Sequence, residues 1–215
     1  MENEQKYFNK TTTPFCMLFD EEKWFTLNAG SFATDSILLI IQSKTMNPNL
    51  KNTPLKSVVE QVTNNTTSWI GHDKLDNKDI ISGQTFTSPS EMDLEAIEVF
   101  TNVVMTPGNV VLTLHPFDNQ LKTWGPVIGL ASNELDPTDS GKWKSFTFPG
   151  LHLNKGKTYG FRLESPDSFI GMGEAAVCYH TTPLNYGQEW RFTNSDKAGH
   201  SFSYFSLAFK VDIRA

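Results

Sequence analysis

The sequence has 215 residues and lacks the features that mark membrane proteins and disulfide-rich or zinc-binding proteins. Its most apolar run, residues 37–41, has five residues, whereas a membrane span needs about 20 consecutive apolar residues. Only two cysteines occur, Cys16 and Cys178, and they lie far apart in the chain. This spacing argues against a zinc knuckle or a disulfide framework and predicts two buried thiols.

Positive charge is also scarce. The chain has 18 Lys and Arg against 24 Asp and Glu, a net charge of −6, and only three of the cations are arginine. A protein that binds the nucleic-acid backbone needs a basic surface, so the composition argues against a nucleic-acid partner. Residues 1–10 lack the apolar stretch of a secretory signal, so we expect a cytoplasmic protein unless a signal was removed.

Aromatic residues are plentiful, at 12% of the chain, and 16 phenylalanines can fill a core. From residue 84 onward, short apolar runs alternate with turn residues, which is typical of an antiparallel sandwich or barrel. Strands are predicted at residues 84–87, 93–101, 109–115, 127–132, 143–148, 158–164, 175–179, 189–193 and 205–213. We therefore expect an all-β domain of eight or nine strands over residues 81–215.

Residues 1–80 do not show this regular series of short apolar runs and turn residues. We expect them to form an extension packed on that domain. Three short strands are predicted, at residues 15–19, 24–27 and 36–41. Residues 54–63 predict a short helix, because their apolar residues recur at helical spacing behind an N-capping threonine. Residues 64–79 are polar and rich in turn residues, which predicts a link between the extension and the domain.

Six segments together resemble a known group of β domains. They are GQTFT at 83–87, LEAIEVF at 94–100, VVLTLH at 110–115, WKSFTF at 143–148, LHLNKGKTY at 151–159 and LAFKV at 207–211. The series resembles galactose-binding-domain-like modules, which are bacterial accessory domains, and the likeness covers residues 82–215. It implies a jelly-roll β-sandwich of two sheets, with sugar bound by loops at one end. Many such modules also hold a structural calcium ion.

Aromatic rings beside turn residues are the candidate sugar contacts. Trp124 and Tyr186 stand next to glycine, and Trp190 follows three residues after Gly187. An exposed ring can pack on the C–H face of a sugar, while the carboxylates of Asp118 and Glu189 reach its hydroxyls. The alternative is that these rings cover the open edge of the core.

Arg162 and two acidic loops complete the candidate groups. Alternation places Arg162 on the polar side of its strand, where it faces a ligand or pairs with a carboxylate such as Glu98, and we expect the ion pair. The loops at 73–79 and 133–139 carry oxygen ligands of the kind that calcium prefers. We expect both loops to be solvated turns. A structural calcium site is the alternative.

No short catalytic motif is present, and the five histidines are scattered. The sequence thus predicts a non-catalytic protein that binds carbohydrate through loops of a β-sandwich. Two alternatives stay open. In the first, the protein is a structural or adhesive part of an assembly and docks to another copy or to a partner through residues 1–80. In the second, it is a glycan-active hydrolase, whose paired carboxylates would not be revealed by any short motif.

Overall fold

The computed structural model describes residues 54–178, 182–185 and 187–214. These residues form 14 strands, all paired antiparallel, and one 3-10 turn, Pro137–Asp139. The strands are β1 Leu55–Gln61, β2 Thr66–Asp73, β3 Lys78–Thr87, β4 Met92–Thr106, β5 Gly108–Asp118, β6 Thr123–Trp124, β7 Gly129–Leu135, β8 Lys142–Leu153, β9 Thr158–Glu164, β10 Phe169–Ala176, β11 Glu189–Thr193, β12 His200–Phe202, β13 Phe205–Leu207 and β14 Phe209–Arg214. The prediction of an all-β antiparallel fold is confirmed. No helix among these residues is long and apolar enough to cross a membrane.

The strands form a continuous hydrogen-bonded series in the order β1-β14-β4-β10-β2-β3-β9-β5-β6. The remaining strands join it from the side: β8 on β4, β13 on β10, β7 on β5, and β11 on β3 with β12 beyond it. The chain changes partner at Ala208, whose N–H donates to the carbonyl of Gly173 in β10 and whose carbonyl accepts from Phe100 in β4. The final strands therefore connect two regions of the series.

The core lies between strands that are not hydrogen-bonded to one another. Phe209 of β14 is fully buried, and its ring centroid lies 6.1 Å from that of Phe86 in β3 and 5.4 Å from that of Phe161 in β9. In β9, every second residue points into this core, namely Tyr159, Phe161 and Leu163. Such face-to-face packing of aromatic residues is compatible with a β-sandwich.

Each of the nine regions predicted from residue 84 onward overlaps an observed strand, and β9 and β11 have the predicted bounds. The prediction for 175–179 was mostly wrong, because β10 is Phe169–Ala176 and overlaps it by two residues. Four residues of β10 are glycine or alanine, Gly171, Gly173, Ala175 and Ala176, which give no strong strand signal. The predicted strand 205–213 divides into β13 and β14 at Ala208.

The predicted helix over residues 54–63 was wrong, because this segment is the strand β1. It pairs with β14, with Leu55 opposite Arg214 and Gln61 opposite Phe209. Val58 and Val59 pack against the main core. A ten-residue helix is marginal in water, and β-branched valines favour a strand once a partner edge is present.

The predicted link over residues 64–79 was also wrong, since it contains β2 and the start of β3. Ser68 and Ile70 point inward from β2, so a buried face is present in spite of the polar composition. Cys178 is exposed, not buried as expected. Cys16 and the strands predicted at 15–19, 24–27 and 36–41 lie outside the described residues.

Phe209→Ala should lower the free energy of unfolding by about 3–5 kcal/mol, because it removes a fully buried ring and leaves a cavity. Urea denaturation of the full chain measures this. Leu75→Ala is the matched control, since Leu75 is 95% exposed and its truncation should change stability by less than about 0.5 kcal/mol. A Phe209→Ala value close to the control would contradict the placement of Phe209 in the core.

Candidate functional site

The face of β9 that points away from the main core carries the candidate site. Tyr159, Phe161 and Leu163 enter the core, so alternation places Arg162 on the opposite face. Arg162 lies opposite Gly83 of β3 and Thr113 of β5 in the strand register. On the far edge of β3, Trp190 of β11 is paired with Gly83. One row across four strands thus brings Arg162 and Trp190 onto one face.

Trp124 of β6 covers this face. Two glycines make room for its ring: a Cβ on Gly160 would collide with it, and one on Gly83 would lie 3.1 Å away. The ring meets Phe117, Trp190 and Phe192 edge to face, at centroid distances of 5.4, 5.8 and 5.5 Å. We call these four residues the aromatic cluster. It is a second apolar cluster, separate from the main core.

Arg162 contacts two rings of the aromatic cluster. Its guanidinium carbon lies 4.5 Å from the ring centroid of Trp124 and 4.2 Å from that of Phe192. Both distances are in the range of cation–π attraction. Among the described residues Arg162 has no ion pair, and its Nε is buried without a hydrogen-bond partner. Burial lowers the pKa of the guanidinium, opposed by the negative charge of Glu164.

The predicted pairing of Arg162 with Glu98 was wrong. Glu98 of β4 instead accepts from Lys210 of β14, with an Nζ–Oε2 distance of 3.0 Å. The two strands are direct neighbours, with Lys210 opposite Glu98, whereas Arg162 lies in a strand that is not paired with β4. Sequence alternation identified the polar face of β9 correctly but not the strand that faces it.

A depression of about 520 Å³ opens beside Arg162. Its apolar lining includes Ile81, Val111 and Phe192, which come from three neighbouring strands. We call it the Arg162 depression. Its volume is in the range of ~300–1,000 Å³ that is usual for small-molecule sites.

Charged groups surround the apolar lining of the Arg162 depression. Asp79, Glu164 and Lys197 all contribute to its wall. Asp79 Oδ1 lies 2.8 Å from His72 Nδ1. The turn after β11, which carries Lys197, is tied to β3 because the N–H of Asn194 donates to the carbonyl of Asp79. The depression therefore combines an apolar surface with charges of both signs.

Three of the six predicted binding residues, Trp124, Arg162 and Trp190, come together at the aromatic cluster, and of these only Arg162 lines the Arg162 depression. Trp190 is only 4% exposed, so it supports Trp124 and has little surface for a ligand. Asp118 lies apart, at the end of β5, where its Oδ1 accepts from the N–H groups of Gln120 and Leu121 in the following turn. It lines a smaller depression of about 380 Å³. Tyr186 lies outside the described residues.

Glu189 points away from the aromatic cluster into a buried polar cluster. Its Oε1 accepts from Ser68 Oγ at 3.0 Å and from Arg191 Nε at 3.1 Å. Arg191 also donates from Nη2 to both oxygens of Glu174, at 2.7 and 3.1 Å. Burial, with the nearby charge of Glu174, raises the pKa of Glu189 to about 7 in spite of Arg191. Both carboxylates are at most 1% exposed, so they are closed to a ligand in this structure.

The acidic loops named as calcium candidates use their carboxylates locally. Asp136 caps the 3-10 turn, and Asp139 binds Lys144 at 2.8 Å. Asp73 accepts from the N–H of Leu75. Across the described ranges, no three His, Cys, Asp or Glu side chains converge on a common point.

Sequence reasoning missed Phe192, Glu164 and Val111 as parts of the site. A signal for two of them was present. Glu164 lies two residues after Arg162, and Phe192 two residues after Trp190, so each shares a strand face with a predicted residue. The contribution of Val111 depends on the pairing of β5 with β9, which no local pattern reports. No protein-family model matches this chain, and no curated protein does.

Glu189→Gln should remove a pH dependence of stability. The pKa of Glu189 is raised from 4.5 to about 7 on folding, so wild-type stability should fall as the pH rises from about 4.5 to 7. The variant should match the wild type near pH 4.5 and be more stable by about 2–3 kcal/mol at pH 8. Urea denaturation at both pH values measures this.

The exposed Glu134→Gln is the control for loss of one acidic group, and it should leave the pH profile unchanged. Glu174 and Arg191 are the charged groups that face Glu189. They are present in wild type and variant alike, so the difference between the two profiles isolates Glu189. Parallel profiles for Glu189→Gln and wild type would show that the buried carboxylate does not titrate in this range.

Proposed function

We propose that the protein is a non-catalytic carbohydrate-binding module with a jelly-roll β-sandwich fold, and that the sugar binds in the Arg162 depression. The observation that carries the proposal is the combination found there: an apolar lining, a guanidinium without an ion pair among the described residues, and carboxylates on the wall. Sugars need both kinds of contact, because they have apolar C–H faces and a rim of hydroxyls.

The packing of strands supports the jelly-roll assignment. Phe209 of β14 meets Phe86 and Phe161 across the core, although β14 is paired with neither β3 nor β9. The edge strands β7 and β8 lie side by side without a ladder, with Asn133 Nδ2 donating to the carbonyl of Ser145 at 2.9 Å. Two layers whose edges approach each other account for both contacts.

The chemistry of the depression supports a saccharide. Val111, Ile81 and Phe192 supply an apolar surface on which a C–H face can lie. Asp79 and Glu164 offer acceptors for hydroxyl groups, since ionised carboxylates accept and do not donate. The sequence predicted a site made of aromatic residues in loops. Most residues that line the Arg162 depression belong to strands instead.

Two of the carboxylates whose pKa is raised by burial lie outside the depression, an arrangement compatible with the proposed binding without turnover. A glycosidase needs an acid and a second carboxylate flanking the bound sugar. The carboxylates whose pKa is raised by burial beside Arg191, Glu174 and Glu189, point away from the Arg162 depression and are at most 1% exposed. Both carboxylates form ion pairs with Arg191, so we assign them a structural role.

Val111→Phe should weaken saccharide binding, because a half-buried valine in the lining becomes a larger ring that intrudes into the depression. Phenylalanine is well accepted in strands, so the fold should be kept. The measurement is saturation-transfer NMR of the full chain against a panel of neutral and acidic mono- and disaccharides. The wild type should bind at least one of them, and the variant should lose more than about tenfold in affinity, equivalent to ~1.4 kcal/mol.

Thr147→Phe is the matched control, because Thr147 is exposed on β8 and outside the depression. It should bind as the wild type does. If no saccharide of the panel binds the wild type, the proposed function fails. If Val111→Phe binds like the control, a sugar is bound elsewhere and the Arg162 depression is not the site.

A further inference from the structure

Arg162 differs from the other two arginines of the chain. Arg191 is paired with Glu174 and Glu189, and Arg214 with Glu95. Arg162 has no such partner among the described residues, although it is partly buried. Removing a charge from water is costly unless an opposite charge or hydrogen bonds compensate for it. The aromatic rings compensate in part, and the Nη N–H groups, unlike the buried Nε, remain available to a ligand.

We propose that the ligand of the Arg162 depression is an acidic saccharide, whose carboxylate or sulfate is held by Arg162. This inference rests on the proposed function and specifies its ligand class. An oxyanion accepts two parallel N–H bonds from a guanidinium, a geometry that a neutral hydroxyl does not match. The anion would supply the countercharge that the protein itself does not provide.

Stacking orients the guanidinium for this contact. Trp124 lies against one side at 4.5 Å and Phe192 contributes a second ring contact at 4.2 Å. The two ring centroids lie only 5.5 Å apart, so the rings adjoin on neighbouring sides of the guanidinium and leave its Nη N–H groups for an acceptor. Because the rings also restrict the rotamers of Arg162, little side-chain entropy is lost when the anion binds.

The remaining charges of the depression fix how the sugar would lie. Glu164 and Asp79 are negative and repel an oxyanion, so the acidic group must point toward Arg162. Those two carboxylates then face the hydroxyl rim of the same sugar. Lys197, exposed on the wall, adds a second positive charge that favours an anionic ligand over a neutral one.

The first experiment uses wild-type full-length chain and matched pairs of ligands. Glucose is compared with glucuronate, galactose with galacturonate, and galactose with galactose 6-sulfate, by saturation-transfer NMR and competition. We expect the acidic member to bind about 10- to 100-fold more tightly at low salt. The preference should shrink in 0.5 M NaCl, because salt screens a partly exposed ion pair. The carboxylate and sulfate arms show which oxyanion is preferred.

Variants test whether Arg162 causes the preference. Arg162→Met should lose the preference for the acidic member while still binding the neutral one, and Arg162→Lys should keep only part of it because lysine lacks the planar fork. Lys142→Met is the matched control, since it removes one exposed positive charge on β8. Thermal unfolding of each variant checks the fold, and the wild-type ligand pairs remain decisive if Arg162→Met is unstable.

The outcomes separate this inference from the proposed function. If neutral and acidic sugars bind equally, or if Arg162→Met keeps the acidic preference, the inference is overturned while carbohydrate binding stands. If no sugar binds, both are overturned. Inorganic sulfate is the final arm. Sulfate should bind more weakly than galactose 6-sulfate, and equal affinity would show that only the ion is recognised.

Discussion

The register of β9 between β3 and β5 is the constraint on which the core and the candidate site both depend. One face of β9 supplies Phe161 to the main core, and the other presents Arg162 to the aromatic cluster. A slip of one residue would exchange these faces, moving the guanidinium into the core. The pairings of Arg162 with Gly83 and with Thr113 hold the register from both sides.

Much of the strand pattern could be predicted from the sequence, because alternation and turn residues are local signals. The bounds of β9 and β11 follow from them directly. The strand β1 could not be predicted, because its valines have a spacing that fits both a helix and a strand. Only the pairing with the edge of β14 decides between the two. Likewise, Arg162 was placed on the right face, but its neighbours come from β3, β5 and β11, which only the strand order reveals.

Arg162 and Arg191 lie on opposite faces of the sheet and show two ways to compensate a partly buried cation. Arg191 forms ion pairs with two carboxylates, Glu174 and Glu189. Burial of these charges raises the pKa of Glu189. Arg162 lies against two rings and forms no ion pair among the described residues. The first arrangement is closed, since each charge has its partner. The second is open, because cation–π contacts leave the hydrogen-bonding edge unused.

An open site of this kind needs a rigid surround, because a mobile arginine would find a carboxylate of its own. Glu164 is only two residues away on the same strand face, yet it forms no ion pair with Arg162. Trp124 prevents the approach by holding the guanidinium against its ring, and Gly160 and Gly83 allow Trp124 to lie that close to the sheet. The absence of side chains at two glycines thus allows the packing in which Arg162 contacts rings and has no carboxylate partner among the described residues.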